Sequence, residues 1–235
     1  GRDDFSDYPE AAKALPAAGG SMGDYNYETI VSLKPDLVLM TGINTPEQVK
    51  ALEDLGITVY YLPNPVNLED LFVNIETVGK LTGRSAEAEK LAADLRARLQ
   101  AVTDKLATVT EKPTVFYELD GSEPTKPWTA GAGTFLSQLI GMAGGVNIGD
   151  QMPEMYGQMS LEALLVANPQ VILLGDAAYG MTPEQVAARA GWEALDAVKN
   201  ARVLTFDDNL VSRPGPRLIE GLEVLAQLLH PELFK

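Results

Sequence analysis

Residues 26–42 read NYETIVSLKPDLVLMTG, and residues 160–176 read SLEALLVANPQVILLGD. Laid over each other, the two stretches share Glu28 with Glu162, Pro35 with Pro169 and Leu39 with Leu173. Their apolar positions also coincide: Tyr27 with Leu161, Ile30 with Leu164, Val31 with Leu165, Leu37 with Val171, and Val38 with Ile172. Each copy opens on a residue suited to capping a helix, Asn26 or Ser160, with a carboxylate in the first turn. Each runs about two helical turns to a proline, whose predecessor is disfavoured in helical space. A short apolar run follows, as expected of a strand buried on both faces of a parallel sheet. One such unit is common in α/β proteins. Two in matching contexts predict two similar α/β lobes.

Working outward, TPEQVKALEDLG (45–56) predicts a helix with Thr45 as N-cap, Pro46 in the first position and Gly56 at the stop. ITVYYL (57–62) is β-branched and aromatic, hence a strand. Residues 68–81 have helical spacing. From Ser85 to about Ala107, Leu91, Leu95, Leu99, Val102 and Leu106 form one apolar stripe, on a helix about 35 Å long at 1.5 Å per residue. Its place between the repeats marks it as a linker between lobes. The expected division is therefore an N-terminal lobe over 1–84, a linking helix over 85–108 and a C-terminal lobe over 109–235. In the C-terminal lobe, TVFYEL (114–119) predicts a strand, DGSEPTKPWTAGAG a loop, and TFLSQLIGMAGG a helix. MTPEQVAARAGWEALDAV reads as helical and repeats the string TPEQV. A strand at 202–206, a Pro/Gly loop and an amphipathic helix to about Leu229 close the chain. The N-terminal lobe has only two convincing strands, few for a stable sheet. That predicts a further strand and helix upstream of Gly1, or completion of the sheet by a partner chain.

The formal net charge is −15, and the 18 Lys+Arg are scattered. A nucleic acid or an anionic membrane surface needs a concentrated basic patch, so neither is expected as the main partner. No apolar run approaches the roughly 18–20 residues of a membrane span, and no direct membrane insertion is expected. The lack of cysteine excludes disulfides, thiolate nucleophiles and Cys-ligated metals. The single histidine, His230, excludes a multi-His metal site within one chain. It precedes Pro231 and is expected on the surface at a helix end.

Several strings occur together and in order: FSDYP (5–9), Glu28 in the first repeat, LKPDLVL (33–39), the long helix, WTAG (128–131), the second repeat and SRPGPR (212–217). With them the chain resembles, over essentially its full length, the class III periplasmic substrate-binding proteins of ABC importers, which carry cobalamin, ferric siderophores or haem. The resemblance implies two Rossmann-like α/β lobes joined by one rigid helix, with the ligand in a cleft between them. It implies a non-enzymatic, extracytoplasmic carrier, periplasmic or lipid-anchored through an N-terminal segment missing here. The carrier would need no cofactor, hold no metal of its own, and serve an ABC permease and its ATPase. The family normally opens with a strand of the type RIVSL and a helix before FSDYP; this sequence has neither.

Phe5, Trp128 and Tyr156 fall in loops near strand C-terminal ends, where open α/β sheets bind ligands. Their faces suit a flat, mostly apolar macrocycle or a catecholate chelate; the alternative is that they plug lobe edges. The resemblance supports all three. At the positions of Met22 and Thr41 the cobalamin carriers tend to have tryptophan; Met22 is kept among the expected contacts. Arg213, near Asp208 and Asn209, is suited to ligand carboxylates or phosphates, and Asn209 joins it as an expected contact. Arg217 is expected to tie the loop to nearby groups. GAGT (131–134) has neither a third dinucleotide-binding glycine nor a Walker lysine, and reads as a helix-start turn that lets backbone approach a ligand. Haem ligation by Tyr25, Tyr27, Tyr156, Met22 or Met155 stays open. A first-turn glutamate is favoured by the helix dipole wherever it occurs; the resemblance implies that Glu28 and Glu162 dock on permease arginines. The rival readings are an α/β enzyme using the interlobe cleft and an interaction module with a vestigial cleft.

Overall fold

The computed structural model describes residues 1–3, 8–20 and 23–234. The chain divides into two compact units, Gly1–Asn64 and Pro65–Lys235.

In the first unit the elements are α1 (Tyr27–Ser32), β1 (Val38–Thr41), α2 (Pro46–Asp54) and β2 (Val59–Leu62). β1 and β2 pair in parallel, Val38 opposite Val59 through Thr41 opposite Leu62. The side chain of Asn26 accepts from the Thr29 N–H at 2.8 Å and starts α1. α2 begins with the expected cap, here a full capping box: the Thr45 side chain accepts from the Gln48 N–H and the Gln48 side chain from the Thr45 N–H. Ala18, Ile30, Met40 and Leu52 form the buried centre, with Tyr25, Tyr27, Val38, Val49, Ile57 and Val59 against it.

The second unit starts with α3 (Leu68–Leu81) and α4 (Ser85–Leu106). The three-residue turn between them makes a helical hairpin. Gly79 lies so close to α4 that a Cβ on it would stand 2.3 Å from the Cβ of Ala88. Arg96 of α4 reaches back across α3, over the Phe72 ring and onto Glu69 and Glu76. This packing moves the boundary. The division at 84/85 took α4 as a linker, but α3 buries Leu68, Leu71, Phe72 and Ile75 in one cluster with Ala88, Ala92, Leu95 and Val102 of α4. Both helices thus belong to the second unit, and the joint between units falls at Asn64–Pro65.

Then follow β3 (Thr114–Glu118), β4 (Trp128–Ala130), α5 (Phe135–Met142), β5 (Val146–Asn147), β6 (Tyr156–Gln158), α6 (Leu161–Ala167), β7 (Val171–Leu174), α7 (Pro183–Ala187), α8 (Asp196–Lys199), β8 (Val203–Thr205) and α9 (Leu218–Leu229). The main sheet is four-stranded and parallel, in the order β5–β3–β7–β8. Alternate residues of its central strands enter two cores. Val115, Tyr117, Val171 and Leu173 pack with α3, α4, α5 and α9. Phe116, Ile172 and Leu174 pack with Leu164, Val186 and Trp192. The sheet is therefore sandwiched between helical layers, which is why the second repeat strand, β7, reads as a continuous apolar run.

The two repeat units match in backbone detail. Lys34 and Asn168, each just before the aligned proline, are left-handed, with φ of 45° and 42°. They end the helices more sharply than a proline alone.

Two sequence expectations fail locally. The run from Met181 to Val198 is not one helix: Gly191 is left-handed, with φ of 87°, and a 3-10 turn at Trp192–Ala194 separates α7 from α8. The break drives Trp192 into full burial against Phe116, ring centroids 6.4 Å apart. WTAG is not loop: Trp128–Ala130 is β4, antiparallel to β6.

Candidate functional site

In the four-stranded sheet the chain leaves β3 for β5 on one side, then crosses to β7 on the other. The point where the strand order reverses lies beyond the C-terminal ends of β3 and β7, the place where open α/β sheets leave a crevice for ligands. Tyr117 and Glu118 end β3, and Gly175 and Asp176 follow β7.

These side chains are buried and engaged. Tyr117 donates to Asp208 Oδ1 at 2.7 Å and packs edge-on against Phe206. Burial first, then the Asp208 charge, pushes its phenol well above the ordinary value. Glu118, wholly buried, takes both arms of the Arg189 guanidinium at 2.5 and 2.9 Å. Arg189 lies 4.5 Å over the Trp192 ring. Asp176 Oδ2 accepts from the Gly121 N–H at 2.9 Å. A shallow cavity of about 270 Å³, lined by Ala178, Thr205, Phe206 and Asp207, opens at the end of β8.

Above this buried layer stands the β4–β6 ribbon. Its register puts Trp128 opposite Gln158 and Ala130 opposite Tyr156, so Trp128 and Tyr156 share one face. They are 43% and 56% exposed, and Met155 beside them is 51% exposed. Burial, then the charge of Asp208, raises the Tyr156 phenol, so the aromatic face and the ends of β3 and β8 are electrostatic neighbours. Trp128 donates its N–H to Asp120 O at 2.9 Å, and Leu119 donates to Trp128 O. This ties the ribbon to the end of β3.

Of the remaining expected contacts, Phe5 and Met22 lie outside the described residues. Asn209 sits in a 3-10 turn and donates from Nδ2 to Asp207 Oδ1 at 3.0 Å. Arg213 is half-buried. Arg217 reaches Asp207 at 3.3 Å and Glu220 at 3.4 Å, the loop-tying part expected of it. GAGT does open α5, with Thr134 as cap, the helix-start turn expected of it. A Cβ on Gly131 would meet the carbonyl oxygens of Gly149 and Glu154, so it is the chain's own backbone that approaches there. His230 is 4% exposed, its Nε2 3.1 Å from Gly144 O. It is a core residue rather than a surface one, because the turn after α9 folds it onto the end of α5.

Glu28 and Glu162 are both exposed, each the second residue of its helix. On α6, Val166 stands one turn beyond Glu162 and is 88% exposed. Sequence reasoning missed the Glu118–Arg189–Asp176 cluster. The only signal was a glutamate at the end of an apolar strand, and its arginine partner lies far along the chain.

A three-layer α/β unit with an exposed aromatic face at its switch point defines a ligand-binding protein of the open-sheet type. The chain belongs to the periplasmic binding protein family, which it matches over residues 1–210. It is 32% identical over 233 residues to the ABC transporter substrate-binding lipoprotein YvrC of Bacillus subtilis, covering 97% of this chain and 72% of that one. The periplasmic vitamin B12 binding protein BtuF of Vibrio cholerae superposes with a TM-score of 0.80 at 30% identity, over 99% of this chain and 88% of that one. The periplasmic heme-binding protein BhuT, solved with two hemes, superposes with a TM-score of 0.88 at 28% identity, over 98% and 88%. The class III resemblance read from the sequence is thereby borne out, as is the α/β fold of the two-lobed binding proteins.

Proposed function

We propose that this chain is the solute-binding component of an ABC importer, working outside the cytoplasm. It captures a metal chelate (a corrinoid, a ferric siderophore or haem) and performs no chemistry on it. The observation that carries this reading is the pair Trp128 and Tyr156, large, half-exposed and on one face of a short ribbon at the sheet's switch point. Exposed aromatics grouped this way mark a binding surface, and their faces match a broad, flat, largely apolar ligand. Phe5, Met22, Asn209 and Arg213 complete the proposed contact set, with Arg213 for carboxylate or phosphate groups on the ligand.

Release follows docking on the permease, energised by its ATPase, with Glu28 and Glu162 as the docking carboxylates. Their matched positions on matched helices support that role. No helix among the described residues is long and apolar enough to cross a membrane.

The test is a titration of intrinsic fluorescence with cyanocobalamin, a ferric hydroxamate, a ferric catecholate and haemin. Strong saturable quenching by one of them, with the ligand recovered unchanged, is expected. Turnover of the bound compound favours the rival enzyme, and binding of none of them overturns the proposal.

A further inference from the structure

Between β3 and the ribbon runs the segment 119–127, and it is held by buried charge. Gly121 is fixed at both backbone groups: its N–H donates to Asp176 Oδ2 at 2.9 Å, and its carbonyl accepts from Arg189 Nη2 at 3.2 Å. Only glycine fits there, since a Cβ would stand 2.1 Å from Arg189 Nη2 and 2.3 Å from Glu118 Oε1. Three residues on, the Pro124 carbonyl accepts from Trp192 Nε1 at 3.0 Å, and Arg189 covers that same indole ring. The Thr125 carbonyl accepts from the Leu161 N–H at 2.8 Å, and the Pro127 carbonyl from the Met159 N–H at 3.0 Å. Trp128 comes next.

The charges in this layer do not balance. Two carboxyl groups, Glu118 and Asp176, lie in one layer with one guanidinium, which pairs with Glu118, and all three residues are at least nine-tenths buried. Both oxygens of Glu118 are used by Arg189, whereas Asp176 Oδ1 is buried with no partner. An unpaired carboxylate oxygen in such a place is costly, and a buried group takes up a proton rather than bear that cost. Burial is the leading cause that raises both Glu118 and Asp176. The other charges nearby are acidic too: Asp120 repels Asp176, and Asp207 and Asp208 act on Tyr117 in the same layer.

We infer that Glu118, Arg189 and Asp176 form a proton-holding clamp, in which Asp176, with its buried unpartnered oxygen, is the member that takes the proton, and that the clamp positions the segment presenting Trp128. These three are positioning residues and touch no ligand. The inference rests on the proposed function only in taking Trp128 as a ligand contact. A group with a raised folded-state pKa gives a clamp at full strength in acid, which loosens as pH climbs through that value. Chelate binding therefore weakens as pH rises through that value.

The experiment uses the whole chain and the variants Asp176→Asn, Asp176→Leu and Trp128→Phe. Asparagine reproduces the neutral acid: its oxygen accepts from the Gly121 N–H and its amide carries no charge. Difference infrared spectra across a pH series should show in the parent a protonated carboxyl band that persists above the ordinary carboxyl range and is lost in Asp176→Asn. Tryptophan emission of the parent should shift as pH rises; the shift should be lost in Asp176→Asn and, for its Trp128 part, in Trp128→Phe. Quenching by the chelate that binds the parent should fall in Asp176→Leu and be rescued in Asp176→Asn. No acid band in the parent, or an unchanged alkaline shift in Asp176→Asn, overturns the clamp. An acid band and shift as described, with no quenching by any chelate, upholds the clamp and overturns the ligand reading alone.

Discussion

Trp128 and Tyr156 present about half their surface to solvent, so replacing either should leave the fold intact while removing contact area with the ligand. Trp128→Ala and Tyr156→Ala should each weaken chelate binding by about 1–3 kcal/mol, the value of one stacked aromatic, and isothermal titration measures it. Full affinity in the double variant would put the site elsewhere. The opposite pattern is expected below them. Arg189→Ala strands the Glu118 carboxylate in a buried site, and losing one partner of such a pair costs about 3–5 kcal/mol. The loss should shrink in acid: with Arg189 gone, burial acts on Glu118 unopposed, and below its raised pKa the carboxyl is neutral. Thermal melts across a pH series give the sign. The exposed aromatics were legible because they sit in strings with recognisable neighbours. The clamp was not, because Glu118 meets Arg189 only through the fold.

Among the elements, the α3–α4 hairpin and the repeated helices make the clearest demands. Gly79 faces Ala88 of α4 at a distance that admits no side chain. Alanine at that position gains about 1 kcal/mol of helix propensity but forces the helices apart, an overpacking cost of typically 1–3 kcal/mol. Gly79→Ala is therefore expected to lower the melting temperature, despite being a better helix former. The capped helices α1 and α6 carry Glu28 and Glu162 on exposed first turns. Reversing both charges to arginine should leave chelate affinity and stability nearly unchanged and abolish uptake in a transport assay, through like-charge repulsion at the permease. Normal uptake by the double variant would remove these glutamates from docking. Most elements were readable from caps and periodicity. β4, β5 and β6 were not: they fall in Gly- and Pro-rich stretches with no apolar run of strand length and exist through their pairing.

For the whole molecule, the two units differ in how their sheets are supported. The first has a two-stranded sheet with Leu39 and Tyr61 exposed. The second buries four parallel strands between helical layers. Sheets of few strands open easily, so amide exchange in β1 and β2 should be faster than in β3 and β7. Equal protection would show that the small sheet is held by more than its own core.

The sequence by itself determined the class of fold, since apolar periodicity, caps and the repeated helix–proline–strand unit are local properties that survive in any arrangement of the chain. It also marked the exposed aromatics and the paired glutamates. Tertiary structure alone decided where one unit ends, because whether α4 links or packs depends on what covers its stripe, and α3 and α9 cover it. It likewise decided that His230 is buried, that Gly131 accommodates backbone, and that Glu118, Asp176 and Arg189 share one site. In each case the deciding contact joins residues far apart in the chain, and local spacing holds no record of such a contact.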